Sequence, residues 1–196
     1  MKVSHSLSHL FTSQTRLKLI DLFFYSPGSL FYVRELVRLT QEEINSVRRE
    51  LQNLEKHSII QKEQRGNRLY YWSNPSHYLY YDLVILAHQH FGLGSVIQEN
   101  RLKLGKIKFL FYSQEFLTKP ADSSHSVDLL LVGDVSLKLV GEYIKTEEST
   151  IGREINYMIM SVDELRLRLN KRDPVMVDFF LSYPALIIGQ PDNLSK

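Results

Sequence analysis

The sequence predicts an α+β chain built from two parts of different character. Three observations predict it. A helical pattern opened by Thr40-Gln41-Glu42-Glu43 runs to about His57 and is followed at once by two strand-like runs, 58–64 and 68–73. From about residue 105 onward, strand-like and helix-like runs alternate instead. The charge divides the same way. Residues 1–75 carry 11 Lys+Arg against 7 Asp+Glu, a net of +4, and residues 76–196 carry 13 against 15, a net of −2. A basic front half and an acidic back half point to different partners for each. The expected organisation is a first domain over 1–75, a helical connector over 76–104 and a mixed α/β domain over 105–196.

The first helix is expected over about 13–25, where Leu17, Ile20, Phe23 and Phe24 recur at helical spacing. The turn residues Ser26-Pro27-Gly28-Ser29 end it. A short helix follows over about 33–39, with Val33, Leu36 and Val37 facing inward. The third helix starts at the capping box Thr40-x-x-Glu43, and the threonine cap should stabilise it by about 1 kcal/mol. Its inward stripe is Ile44, Val47, Leu51 and Leu54. The two strands after it are joined by Arg65-Gly66-Asn67, where Gly66-Asn67 permits the positive φ angles of a tight turn.

Asn74-Pro75 closes this hairpin, and Ser76 can cap a helix over about 77–91 that is apolar on most faces. Gly92-Leu93-Gly94 breaks that helix, and a second piece, about 95–104, leads into a strand at 106–111. The connector so formed serves equally well as a dimer interface. The back half then reads as a buried strand at 127–133, a helix at 136–146, a strand at 154–160 and a helix at 163–169 capped by Ser161. A helix at 174–182 and a last strand at 185–188, ended by Gly189, complete it.

Composition excludes several classes. Hydrophobic content of 43% with 23% charged residues supports a packed core rather than disorder. The absence of cysteine excludes disulfides and thiolate metal sites, which fits a reducing cytoplasm. The start, Met1 to Ser8, lacks the apolar stretch of a secretory signal, and runs such as Leu129 to Val132 are far too short to span a bilayer. A cytoplasmic protein without membrane contact is expected.

The free face of the third helix carries the chemistry of nucleic-acid recognition. Gln41, Glu42, Asn45, Ser46, Arg49, Gln52, Asn53 and Lys56 supply donors and acceptors for base edges and phosphates. The N-terminal part of such a helix reaches the bases, so Gln41, Asn45, Ser46 and Arg49 are expected in the groove, with Arg48 on a phosphate from the flank. The hairpin adds Lys62, Arg65, Asn67 and Arg68 at or near its tip. A polar helix face is by default a solvated one, and Glu42, Glu43, Glu50 and Glu55 weaken its positive field. The ordered set of helix, short helix, capped helix and basic-tipped hairpin is what favours duplex DNA. His88-Gln89-His90 holds the close histidine pair; on a helix these two point apart and read as surface or packing residues, so no metal is expected there.

On the patterns Val33-Arg34-Glu35-Leu36-Val37, Val47-Arg48-Arg49-Glu50-Leu51-Gln52-Asn53-Leu54 and Gly66-Asn67-Arg68-Leu69-Tyr70-Tyr71, residues 13–73 resemble the winged-helix domain of ArsR/MarR-like prokaryotic regulators. The resemblance implies a helix-turn-helix with recognition helix 41–57 in the major groove and wing 58–73 on the backbone. Residues 106–160 resemble the minimal nucleotidyltransferase domain of the polymerase-beta-like superfamily. Lys108-Phe109-Leu110-Phe111-Tyr112-Ser113 stands where a strand ending in Gly-Ser is expected, and Ser126-Val127-Asp128 where an Asp-x-Asp is expected. Active members hold divalent metal on those two aspartates and a third carboxylate, because a two-metal clamp neutralises the attacking and leaving oxygens. Here Tyr112 replaces the glycine and should crowd the phosphate approach. Ser126 replaces the first aspartate, and strand alternation puts Asn156 rather than Glu154 at the third acid. Ser113 and Asp128 remain as a vestigial nucleotide site, and one carboxylate is a poor Mg²⁺ site. A one-residue register error would restore Glu154.

A winged helix joined through a helical connector to a nucleotidyltransferase-like domain resembles a family of prokaryotic transcriptional regulators. The segments Gly152-Arg153-Glu154-Ile155-Asn156-Tyr157 and Ser161-Val162-Asp163-Glu164-Leu165 fit it. The resemblance implies a homodimeric, sequence-specific double-stranded-DNA-binding regulator without enzymatic activity or cofactor, whose C-terminal domain serves ligand sensing, partner binding or dimerisation. The alternatives are a nucleotidyltransferase of antitoxin-like type, and a winged-helix module that binds protein through the aromatics around Tyr78 to Tyr81.

Overall fold

The computed structural model describes residues 12–118 and 127–190. The chain is a mixed α+β protein with two sheets. It divides into two compact units, one ending at Phe91 and the other starting at Gly92. No helix among the described residues is long and apolar enough to cross a membrane.

The first unit holds α1 (Gln14–Tyr25), β1 (Phe31–Tyr32), α2 (Val33–Thr40), α3 (Ile44–Lys56), β2 (Ile60–Arg65), β3 (Arg68–Ser73) and α4 (Tyr80–His90). Its sheet is antiparallel, in the order β1-β3-β2. Ser13 caps α1 by accepting from the Arg16 amide, which satisfies one of the amides a helix start leaves bare. Leu17, Ile20, Phe23 and Phe24 are all buried, as their spacing predicts. On α2 only Leu36 of the three expected inward residues is buried; Val33 and Val37 are half-buried.

The capping box does not form. Thr40 is the last residue of α2, and its hydroxyl donates to the Leu36 carbonyl one turn back. Gln41 follows in the left-handed region (φ 56°, ψ 33°) and closes α2 with its amide on the Val37 carbonyl. The residue at the cap of α3 is Glu43, with no side-chain cap bond. The helix therefore begins at Ile44, not Gln41. A Thr-x-x-Glu string is compatible with a start and with a stop, and the packing of α2 selects the stop. Ile44, expected in the core stripe, is 37% exposed, and Glu50 takes a buried place beside Val47, Leu51 and Leu54.

The hairpin forms in the register Ile60↔Ser73 to Arg65↔Arg68, with Gly66 and Asn67 as its two loop residues. Gly66 alone takes a positive φ (58°), the pattern of a type II′ turn. At the other end Asn74 ties the strands together. Its side chain donates to the Ser58 carbonyl and accepts from Gln61, which in turn accepts from the Trp72 indole.

Ser76 does not cap a helix. Its amide donates to the Asn74 side chain in a turn, and α4 starts three residues past the expected point, at Tyr80. That helix packs on α1 within the first unit: the Phe24 and Tyr80 rings meet edge-on at 5.9 Å, and the Asp21 carboxylate bonds His90 Nδ1 at 2.9 Å. The break after it falls at Phe91, which is extended (φ −129°, ψ 158°). Gly92, with a positive φ of 68°, shares in that break and opens the next helix, while Leu93 and Gly94 lie within it.

The second unit runs α5 (Gly92–Glu99), α6 (Arg101–Leu104), β4 (Gly105–Tyr112), α7 (Gln114–Thr118), β5 (Leu129–Val135), α8 (Leu137–Ile151), β6 (Tyr157–Met160), α9 (Val162–Asn170), α10 (Pro174–Leu181) and β7 (Ala185–Ile188). The sheet order is β6-β5-β4-β7, antiparallel except for the parallel β5–β6 pair, which needs α8 as its crossover. Alternate residues Phe109, Phe111, Leu130 and Val132 face a core shared with Leu165 of α9 and with Met176 and Phe179 of α10. The opposite-facing Leu110, Tyr112, Leu129 and Leu131 are buried too, so β5 reads as an unbroken apolar run. The close crossing of β4 and β5 requires glycine at 105 (φ 116°), since a Cβ there would collide with the Asp134 carbonyl. Residues 154–156, expected to begin a strand, are irregular, and β6 starts at Tyr157.

Candidate nucleic-acid interface

The face of α3 opposite Val47, Leu51 and Leu54 is Asn45, Arg49, Gln52 and Lys56, all exposed. These four are separated by three or four residues, so they stack along one side of the helix. Arg48 is exposed on one flank of that face; Ser46 and Asn53 on the other are half-buried, and Asn53 bonds the Glu50 carboxylate. Gln41 is exposed but belongs to the turn before the helix, which removes it from the face expected to read bases.

The hairpin residues Lys62, Arg65, Asn67 and Arg68 are exposed. Their charges are arranged differently from the expected bare basic tip. Lys62 is 3.2 Å from Glu55 of α3, which ties the hairpin to the helix. Arg65 is 2.5 Å from Glu63 on its own strand. The Arg68 guanidinium lies over the Tyr32 ring, 4.9 Å from its centroid, a cation–π contact that holds the side chain in place without neutralising it.

Two of the four acidic residues that should weaken the field, Glu42 and Glu50, are committed elsewhere. Glu42 accepts from Lys18 and Thr15, and the Lys18 bond holds its carboxyl below the usual range. Glu50 is 2.8 Å from Arg16. Burial alone would raise its pKa, but hydrogen bonds from Ser13, Arg16 and Asn53 hold it below the ordinary value. The cations Arg34, Arg38, Arg48, Arg49 and Lys56 form no ion pair among the described residues of this unit, which leaves the balance positive where α2 and α3 meet solvent. Arg34 and Arg38 were missed from sequence. Their signal was present as two arginines four apart on α2, both exposed.

Of the two readings of the histidine pair, surface or packing, the structure shows packing. His88 and His90 are both buried; His88 stacks against Tyr25 with centroids 4.5 Å apart, and His90 bonds Asp21. Among the described residues no group of three or more His, Asp or Glu is placed to hold a metal ion.

In the second unit, Ser113 and Asp128 are brought together at the end of β4. The Ser113 amide donates to the Asp128 carbonyl at 2.8 Å. Both side chains are engaged with backbone. The Ser113 hydroxyl accepts from the Phe116 amide and so caps α7. The Asp128 carboxylate accepts from the Asn156 amide at 2.9 Å and helps align β5 with β6. Burial raises the Asp128 pKa, while the Asn156 amide and the Arg153 charge pull it down and Glu115 pushes it up. The acid that acts on Asp128 is thus Glu115, not Glu154, which is exposed. Arg153 is fixed by donating to the Phe116 carbonyl at 2.7 Å and by lying over the Phe116 ring. The Tyr112 ring is buried and meets Phe116 edge-on at 5.1 Å. Ser126 lies outside the described residues.

No family model, no curated protein and no solved structure matches the chain.

Proposed function

We propose that the first unit is a winged helix that binds double-stranded DNA sequence-specifically, and that the chain is a transcriptional regulator acting as a homodimer. The carrying observation is the exposed Asn45–Arg49–Gln52–Lys56 face of α3, flanked by Arg48 and by a hairpin whose Arg68 is braced on Tyr32. Uncharged hydrogen-bonding groups at the front of a helix suit base edges, and unpaired cations around it suit phosphates. The recognition helix is Ile44–Lys56, with Gln41 outside it, and the wing is Ile60–Ser73. Arg34 and Arg38 join the list of phosphate ligands. A homodimer follows from the small number of bases one helix reaches and from the two-fold symmetry of paired half-sites.

The second unit, on this reading, is a nucleotidyltransferase-like frame that responds to a ligand or partner and performs no nucleotidyl transfer. What supports this is the structural employment of Ser113 and Asp128: one caps α7 and the other holds the β6 approach. One observation favours a second reading, a protein-binding module: Tyr78 and Tyr81 are 85% and 50% exposed next to exposed Leu79, a small apolar patch before and on α4.

Selection from random duplex DNA at two salt concentrations separates the two. Retained duplexes should share a sequence with two-fold symmetry, and binding should weaken linearly on a log–log salt plot. Arg49→Ala and Arg65→Ala should each reduce that slope by about 0.9. Binding by both variants as tight as wild type at every salt concentration overturns the DNA reading.

A further inference from the structure

Resting on the duplex-binding reading, we propose that Ile44 reads the 5-methyl group of a thymine in the major groove, so that each half-site carries a thymine at one fixed position. Helical periodicity places Ile44 one turn before Val47 and therefore in the core. The structure takes it out. Val47 is wholly buried, whereas Ile44, the first residue of α3, runs past the edge of the core and stands 37% exposed. It shares a flank of the helix with Arg48 and Glu55, at i+4 and i+11, and Glu55 bonds Lys62 of β2, so this is the flank turned to the hairpin. Asn45 and Arg48 beside it are exposed and polar. Ile44 is thus an exposed apolar side chain on the leading turn, at the flank of a face made of hydrogen-bonding and cationic groups.

The leading turn is the part of such a helix that approaches base edges. Each base pair offers a different pattern there, and the thymine methyl is the apolar element among them; cytosine, adenine and guanine carry none. An isoleucine gains nothing against a polar edge and gains contact area against that methyl. Its branched Cβ restricts χ1, so little side-chain freedom is lost on docking. The cations around it supply affinity without preference, and Ile44 supplies the preference.

The experiment uses the full chain and a duplex recovered from the random pool, with each thymine replaced in turn by deoxyuridine, which deletes one methyl and keeps every hydrogen-bonding group. For wild type, one replacement per half-site should weaken binding about fourfold, the worth of one buried methyl, and the other replacements should not. Ile44→Ala should bind the thymine and deoxyuridine duplexes equally, and Ile44→Val should keep most of the discrimination. Thermal melting of both variants checks that they fold, as expected for an exposed site. Equal binding of every deoxyuridine duplex by wild type, or discrimination that survives Ile44→Ala, overturns the inference while leaving duplex binding intact. Failure to retain any duplex at low salt overturns both.

Discussion

Glu147 lies on the inward stripe of α8 with Val140 and Ile144, and it is buried like them. Taking a carboxylate out of water favours its protonated form, and burial pushes its pKa up to about 7. The unfolded chain releases that proton near 4.5. Between these values the folded state binds more protons than the unfolded one, so stability falls as pH rises and the loss is complete above about 7. Glu147→Gln removes the ionisation. At pH 8 it should be more stable than wild type by up to about 3 kcal/mol, and at pH 5 by under about 1, read from urea unfolding at both. An equal gap at the two pH values counts against this account. Side chains such as Glu147, Glu50 and Ile44 mark where sequence reading stops at this scale. Spacing puts Ile44 on the inward stripe and the structure leaves it exposed, while the charged side chains of Glu50 and Glu147 take buried places. Burial of Glu50 depends on Arg16, 34 positions away, and no local pattern reports a partner at that distance.

At the scale of elements, the pairing of α1 with α4 includes a buried polar contact. Asp21 and His90 are each 1% exposed at the side chain and join the two helices inside an apolar interface with Phe24 and Tyr80. Burial raises the Asp21 pKa, and the bond and charge of His90 pull it back. Deleting the Asp21 carboxylate removes a buried hydrogen-bond partner of His90 and leaves a cavity, so Asp21→Ala should lower stability by about 3–5 kcal/mol in urea unfolding. Asp21→Leu with His90→Leu should recover most of that loss, because an apolar pair of similar volume suits the same interface. A double variant no more stable than the single one refutes the assignment. Element identity was largely legible here: α1, the hairpin, β4, α9, α10 and β7 lie close to where periodicity and turn residues place them. Ends were less so. Thr40 and Ser76 are both good caps by residue type, yet one closes α2 and the other sits in a turn, since a cap is chosen by which amides are left bare nearby. The break between α4 and α5 is made by extended Phe91 together with Gly92, whose φ is positive (68°), and only Gly94 lies within the helix that follows.

For the whole molecule, α4 belongs to the first unit, although its sequence suggests a linker. Without it, the Asp21 and Phe24 side of α1 would face water. A chain ending at Phe91 should therefore unfold in one cooperative transition, and a chain ending at Pro75 should show no such transition by circular dichroism. Equal cooperativity in both would place α4 outside the first unit. The charge division survives in altered form. The first unit is basic at α2 and α3 less through an excess of cations than through acids engaged by Lys18 and Arg16 in other contacts.

Composition and periodicity are enough to establish an α+β chain, a helix followed by a tight hairpin, and a mixed α/β second half, because these depend on residues within one or two turns of each other. They are also enough to raise duplex DNA as the partner, since the residue types on α3 are visible without coordinates. Where α3 begins, which of its side chains is free to touch a base, which acids are silenced and where α4 docks were decided only by packing between distant segments. Those contacts couple positions tens of residues apart, and burial of a group depends on all of its neighbours at once.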